Sequence, residues 1–155
     1  DRSKVRVMLL QIERNLGGLG LMPPCSTYHR FAVGMTGDNM SSSKPESTIF
    51  MDDDIESMER KVKRAISGGQ STVEEHRRLG GDVSKDVAYQ YLQFFFENDD
   101  KALAEIKSEY ESGRMLAGEV KQICIDRAGE WLSDLKQRRN QMEDTVADFL
   151  AADAI

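Results

Sequence analysis

The chain has 155 residues, 21 of them Lys or Arg against 27 Asp or Glu, giving a formal net charge of −6, with 39% hydrophobic and 31% charged residues. That length supports one ordinary core, and a net-negative chain argues against a general nucleic-acid coat, which draws on clustered Lys and Arg. Apolar runs of only a few residues offer no membrane span, and two distant cysteines, Cys25 and Cys124, with no secretory segment point to reduced thiols in a cytoplasmic setting.

The sequence opens on Asp1 rather than Met and runs at once into a helical pattern, so an excised piece of a longer protein is expected. Val5, Met8, Leu9, Ile12 and Leu16 recur at helical spacing until Gly17, Gly18 and Gly20 stop them, which predicts one amphipathic helix in need of a partner surface. After Pro23 and Pro24, alternation of Cys25, Thr27, His29, Phe31 and Val33 with Ser26, Tyr28 and Arg30 predicts a short half-buried strand ended by Gly34. The next stretch, Met35 to Pro45, is a Gly- and Ser-rich loop. Its short side chains and free amides could wrap an anion, although a solvated loop explains the composition equally well.

From Asp52 onward the pattern is helical. Asp52, Asp53 and Asp54 stand where a helix N-terminus favours negative charge, Ile55, Met58, Val62 and Ile66 mark a buried face, and Lys61, Lys63 and Arg64 close the helix. Glu56 with Arg60 and Glu59 with Lys63 have the favoured acid-first spacing. Gly68 and Gly69 break the chain, a capping box at Ser71 or Thr72 starts a short helix, and Gly80 and Gly81 end it. Val83 to Phe96 is the most apolar element and is expected to be the most enclosed helix. Asn98, Asp99 and Asp100 cap another, with Leu103, Ile106 and Tyr110 inward. The last pattern, from Gly118 to Leu150, predicts one helix of roughly 45 to 50 Å or two kinked near Asn140.

Few residues suggest chemistry by spacing alone. His29 and His76 are far apart and lack Cys or His partners at ligand spacing, which argues against zinc; His29 reads as a strand residue at a core edge and His76 as an exposed helical position. Helix capping accounts for Asp52 to Asp54 without a metal, and Phe94, Phe95 and Phe96 read as core rather than as a base-stacking platform. Two features survive: the loop Ser41-Ser42-Ser43-Lys44, and the basic groups Lys61, Lys63, Arg64 and Lys136, Arg138, Arg139, which make a phosphate footprint only if they meet in space.

Ser26-Thr27-Tyr28-His29-Arg30-Phe31, then Met40-Ser41-Ser42-Ser43-Lys44-Pro45-Glu46-Ser47, then Ser67-Gly68-Gly69 with Thr72, Glu75-His76-Arg77 and Gly80-Gly81, follow one another in order. Phe94-Phe95-Phe96-Glu97 with Asp99-Asp100 and Gly118-Glu119-Val120-Lys121 continue the series. Together these resemble the archaeal and eukaryotic tryptophanyl-tRNA synthetases over nearly the whole chain; the sister tyrosyl enzymes share the loop type but fit the Gly-Gly blocks less well.

The resemblance implies a class I ligase that forms tryptophanyl-adenylate from tryptophan and ATP with Mg2+ and passes it to tRNA(Trp). It implies a mainly α chain: residues 1–51 as the last helix and strand of a Rossmann-like catalytic domain, and residues 52–155 as an α-helical anticodon-binding domain. With the upstream half go the histidine-containing loop and most of the tryptophan pocket, so the chain alone is expected to be inactive, with no bound cofactor. The family dimerises largely through that half, and a monomer is compatible with this chain. Residues 39–43 match the lysine-methionine-serine signature, which supplies charge and hydrogen bonds to the departing pyrophosphate. Met40, Ser41, Ser42 and Ser43 are the expected ATP phosphate loop and Lys44 the expected catalytic cation. Asn39 replaces the family lysine, so either Lys44 substitutes in part or the phosphate grip is weaker. The alternative from another class is a helical protein-interaction module with a vestigial loop.

Overall fold

The structure, a computed structural model, describes residues 2–17 and 31–142. The chain divides into two compact units, Asp1–Phe31 and Ala32–Ile155. In the first, helix α1 runs from Arg2 to Leu16, and its end is marked by Gly17, whose amide bonds to the Glu13 carbonyl at 2.9 Å. Residues 25–30 of the expected strand, with His29 and Cys25, lie outside the described residues. Phe31, Ala32 and Val33 are irregular, and no strand occurs among the described residues.

The second unit is helical: α2 (Ile55–Arg64), α3 (Val73–Leu79), α4 (Val87–Tyr91), α5 (Asp100–Glu111) and α6 (Ala117–Met142), preceded by a 3-10 turn at Pro45–Ser47. Carboxylate and hydroxyl caps set the starts, each satisfying an otherwise orphaned amide. Asp54 accepts from the Ser57 amide at 2.6 Å, Thr72 from Glu75 at 3.1 Å and Asp86 from Tyr89 at 2.9 Å. At the end of α3, Gly80 has φ +74°, and a Cβ there would lie 1.8 Å from the Glu111 carbonyl oxygen, so glycine is required twice over. Helix α6 packs along α2 and α4. Met58, Val62, Ala88, Leu92, Tyr110, Val120, Cys124, Ala128 and Leu132 form the core between them.

Several expectations change. The helix predicted from Val83 begins only at Val87, because Asp86 caps it, and from Leu92 to Phe96 it widens into a π turn. That turn closes with the Glu97 amide on the Leu92 carbonyl at 2.9 Å. Val87 to Leu92 are enclosed as expected, but Phe95 is 48% exposed. Trp131, which the helical pattern places inward, is 39% exposed, its ring 6.0 Å from that of Phe96. His76 is buried at 3% exposure, not solvated: its Nε2 lies 2.8 Å from the Met115 carbonyl oxygen and its ring 5.2 Å from that of Tyr110. Helix α6 is continuous through Asn140 to the last described residue, Met142.

Of the two predicted helix-surface pairs, Glu59 and Lys63 pair. Arg60 instead meets Glu46 at 3.2 Å.

Candidate functional site

The serine loop is held by its backbone before any side chain acts. Gly37 donates to the Gly34 carbonyl at 2.8 Å and Gly34 to the Asp38 carbonyl at 2.6 Å, closing a tight reversal. A Cβ on Gly34 would lie 2.6 Å from the Ser47 carbonyl oxygen, so the two arms of the loop approach as closely as a glycine permits. Met35 is buried, donates to the Ser47 carbonyl at 2.9 Å and accepts from the Ile66 amide at 3.1 Å. The loop is therefore part of the same packed unit as the helices.

Within it, Lys44 donates from its amide to the Ser41 carbonyl at 3.1 Å, and the Ser41 and Ser43 hydroxyls lie 2.8 Å apart. Gly37, Asp38, Asn39, Ser41 and Lys44 line an open polar hollow of about 560 Å³. The structure thus brings Asn39, Ser41 and Lys44 together. Ser42 is exposed. The Met40 side chain lines a separate apolar hollow of about 370 Å³ with Phe50, Phe95 and Trp131.

Lys44 is the sole cation of residues 34–47, against Asp38 and Glu46. Glu46 is met by Arg60 at 3.2 Å and Arg64 at 3.7 Å, which leaves Asp38 as the acid facing the hollow. Its carboxylate lies 3.8 Å from the Lys44 ammonium, both side chains about two-thirds exposed at 70% and 67%. Such a pair contributes little, roughly 0 to 1 kcal/mol, so Asp38 does not lock the ammonium in place. Asp38 and Ser47 carried no role in the sequence reading. The signal for Ser47 was its place at the close of the turn that Pro45 opens.

Two of the three acidic residues are structural. Asp54 caps α2, while Asp53 accepts from the Phe50 amide at 2.9 Å and from Lys61 at 2.5 Å. No group of three His, Cys, Asp or Glu side chains able to hold an ion occurs among the described residues.

The two basic groups meet at Asp53 through Lys61 and Lys136, whose ammonium groups are taken up there by protein oxygens. Lys61 is buried, bonding Asp53 and the Thr48 carbonyl and lying over the Phe50 ring at 4.7 Å, and Lys136 donates to the Asp53 carbonyl at 2.6 Å. Of the others, Lys63 pairs with Glu59, Arg64 with Glu46 and Arg138 with Asp134.

A buried polar junction was also unforeseen. Asp86, fully buried, accepts from the Gly68 amide at 3.1 Å, the Tyr89 amide at 2.9 Å and the Tyr110 hydroxyl at 2.8 Å. Burial, then the adjoining carboxylate, raises the Tyr110 phenol well above its ordinary range.

Residues 1–133 match the family described as tRNA synthetases class I (W and Y). The tryptophan–tRNA ligase of Saccharolobus solfataricus is 41% identical over 143 residues, covering 90% of this chain and 38% of that protein. That of Methanocaldococcus jannaschii is 41% identical over 83% of this chain and 35% of its own. Among solved structures, the tryptophanyl-tRNA synthetase of Aeropyrum pernix superposes with a TM-score of 0.78 at 36% identity, covering 83% of this chain and 35% of that one. A tryptophanyl-tRNA synthetase from Encephalitozoon cuniculi bound to tryptophan gives 0.72 at 30% identity, over 89% of this chain and 36% of its own. The chain thus spans less than two-fifths of the length of these relatives.

Proposed function

The chain belongs to the class I tRNA synthetases for tryptophan and tyrosine, and from that premise we propose that it supplies the phosphate loop and the anticodon-recognising helices of a tryptophan–tRNA ligase. In this reading residues 1–51 close the nucleotide-binding catalytic domain and residues 52–155 form the anticodon-binding domain. The ligase acts in the cytoplasm as a homodimer. The supporting observation is that Asn39 and Ser41 of the signature segment and the adjoining Lys44 line one polar hollow beside backbone hydrogen bonds that hold the loop.

The residues at the hollow fit a polyphosphate. Ser41 and Ser43 provide hydroxyls, Asn39 an amide donor and Lys44 the charge, all at an open surface that a triphosphate could reach. Tryptophan and ATP with Mg2+ form the adenylate and release pyrophosphate. As negative charge gathers on that leaving group, these donors hold it, with the loop closing over the phosphates. The Lys44 ammonium leaves Asp38 for a phosphate oxygen in this step. Asn39 orients without adding charge.

The test is amino-acid-dependent ATP–pyrophosphate exchange by the full-length ligase. Tryptophan is expected to support exchange and tyrosine not; exchange driven by tyrosine overturns the specificity. Titration of this chain with tRNA(Trp) and an anticodon-altered transcript tests the helices, with weaker binding of the altered transcript expected. Equal binding favours a protein-interaction role for the helices.

A further inference from the structure

Ser47 is fully buried, and a hydroxyl removed from water is costly unless its donor and acceptor capacities are used. Both are used on the loop. Its Oγ accepts from the Ser41 amide at 3.1 Å and donates to the Lys44 carbonyl at 2.7 Å, with the Ser41 carbonyl oxygen 3.4 Å away. Its own amide reaches the same Lys44 carbonyl at 2.9 Å, and its carbonyl accepts from Met35 at 2.9 Å. One side chain therefore grips both ends of the Ser41–Lys44 turn, and its backbone fastens that turn to Met35, which is bonded onward to Ile66. The Ser41 and Ser43 hydroxyls, by contrast, bond each other at the exposed surface.

We propose that Ser47 is a positioning residue of the phosphate loop: its buried hydroxyl fixes the separation of the Ser41 amide and the Lys44 carbonyl, and so where the Ser41 hydroxyl and Lys44 ammonium stand over the polar hollow. This rests on the reading of that hollow as the ATP phosphate site. Ser47 itself is enclosed and touches no phosphate; it acts through Ser41 and Lys44. Misplacing such groups by about an ångström is enough to slow a reaction that depends on orientation.

Ser47→Ala removes one oxygen and adds no bulk. Circular dichroism and the thermal midpoint verify its fold, and if it melts much earlier, the near-isosteric Ser47→Cys carries the same test. In this chain, the Ser41 amide is expected to exchange with solvent about tenfold faster in the variant, as fits loss of one hydrogen bond. In the full-length ligase, the single-turnover adenylation rate constant is expected to fall about tenfold while tryptophan affinity changes by less than about twofold, a split that general destabilisation does not produce. Ser47→Thr, which restores the hydroxyl, is expected to recover most of that rate.

Unchanged exchange at Ser41 overturns the proposal, as does an unchanged adenylation rate in a variant whose Ser41 exchange has risen. Lys44→Ala and Ser41→Ala separate the two levels. If they slow adenylation and Ser47→Ala does not, only the role of Ser47 fails; if none of the three slows it, the phosphate reading fails too.

Discussion

Lys44 decides how much charge the loop can offer, because Asn39 brings none and the nearest acid, Asp38, works against it. In the full-length ligase, Lys44→Ala is expected to lower the adenylation rate constant roughly 100-fold, the lower end of the range seen when a transition-state donor is removed. Tryptophan affinity should stay within about twofold, since the ammonium acts on charge that develops only as pyrophosphate leaves. Asn39→Lys is expected to raise the rate. Single-turnover kinetics of both variants check this, and an unchanged rate for Lys44→Ala removes the residue from the mechanism. A second residue-scale prediction concerns the buried junction. Tyr110→Phe keeps the ring but takes a hydrogen bond from a fully buried carboxylate, so urea unfolding should show a loss of about 1 to 3 kcal/mol. A stability within error of wild type would mean that Asp86 is satisfied by the Gly68 and Tyr89 amides alone.

Where a helix start or stop was legible it has a local chemical cause, since Asp54, Thr72 and Asp99 cap through their own side chains and Gly80 and Gly113 adopt positive φ; the start of α4 at the Asp86 cap was not. The serine loop was legible as a motif; of its expected residues Ser41 and Lys44 line the polar hollow with Asn39, while Met40 turns to another hollow and Ser42 is exposed. What stayed hidden depends on partners distant in sequence. His76 looks solvated beside Glu74 and Glu75 until Met115 and Tyr110 close over it, and Lys61 looks like one of a basic group until Asp53 and Thr48 take its ammonium. Trp131 shows how a correct helical face can mislead about depth. Intervals of three and four put it near the stripe of Val120, Cys124 and Ala128, yet it lies beside Phe96 at the wall of a hollow that Phe94 and Phe95 of the π turn also line. Leu132, its neighbour, is fully buried. Leu132→Ala is therefore expected to cost about 2 to 5 kcal/mol, with Trp131→Ala below the roughly 3 to 5 kcal/mol of an enclosed aromatic. Chemical denaturation of the two variants checks the order; a larger loss for Trp131→Ala would mean that the hollow is filled in solution.

Over the described residues, the core enclosed by α2, α4, α5 and α6 holds four acids, Cys124, Tyr89, Tyr91 and Tyr110, in their neutral forms. Burial first, then the Asp86 carboxylate, pushes the Cys124 thiol up to about 12 from its ordinary 9.0, and burial first, then Cys124, pushes the Tyr91 phenol to about 12 from 10.0. Burial raises Tyr110 and, with Glu111 behind it, Tyr89 as well. In each case the unfolded chain releases its proton at a lower pH than the folded chain does. The stabilisation is therefore complete below the unfolded value and is lost as pH rises through the folded one. Lys121 acts in the opposite sense: burial lowers its ammonium from the ordinary 10.5, outweighing the Asp86 attraction, so the penalty for holding it charged fades as pH rises. One thiol and three phenols against one ammonium make a net fall the expected result. The thermal midpoint should decline from about pH 9 toward 12, and Cys124→Ala should flatten the first part of that decline, where the thiol alone titrates in the unfolded chain. In a Cys25→Ser background, where Cys124 is the single remaining thiol of the two, alkylation at pH 8 should proceed only as fast as the chain unfolds, because a buried neutral thiol is a poor nucleophile. Labelling at the rate of a free thiol, or a midpoint constant between pH 9 and 11, would show that this core admits solvent and that its neutral acids do not hold it together.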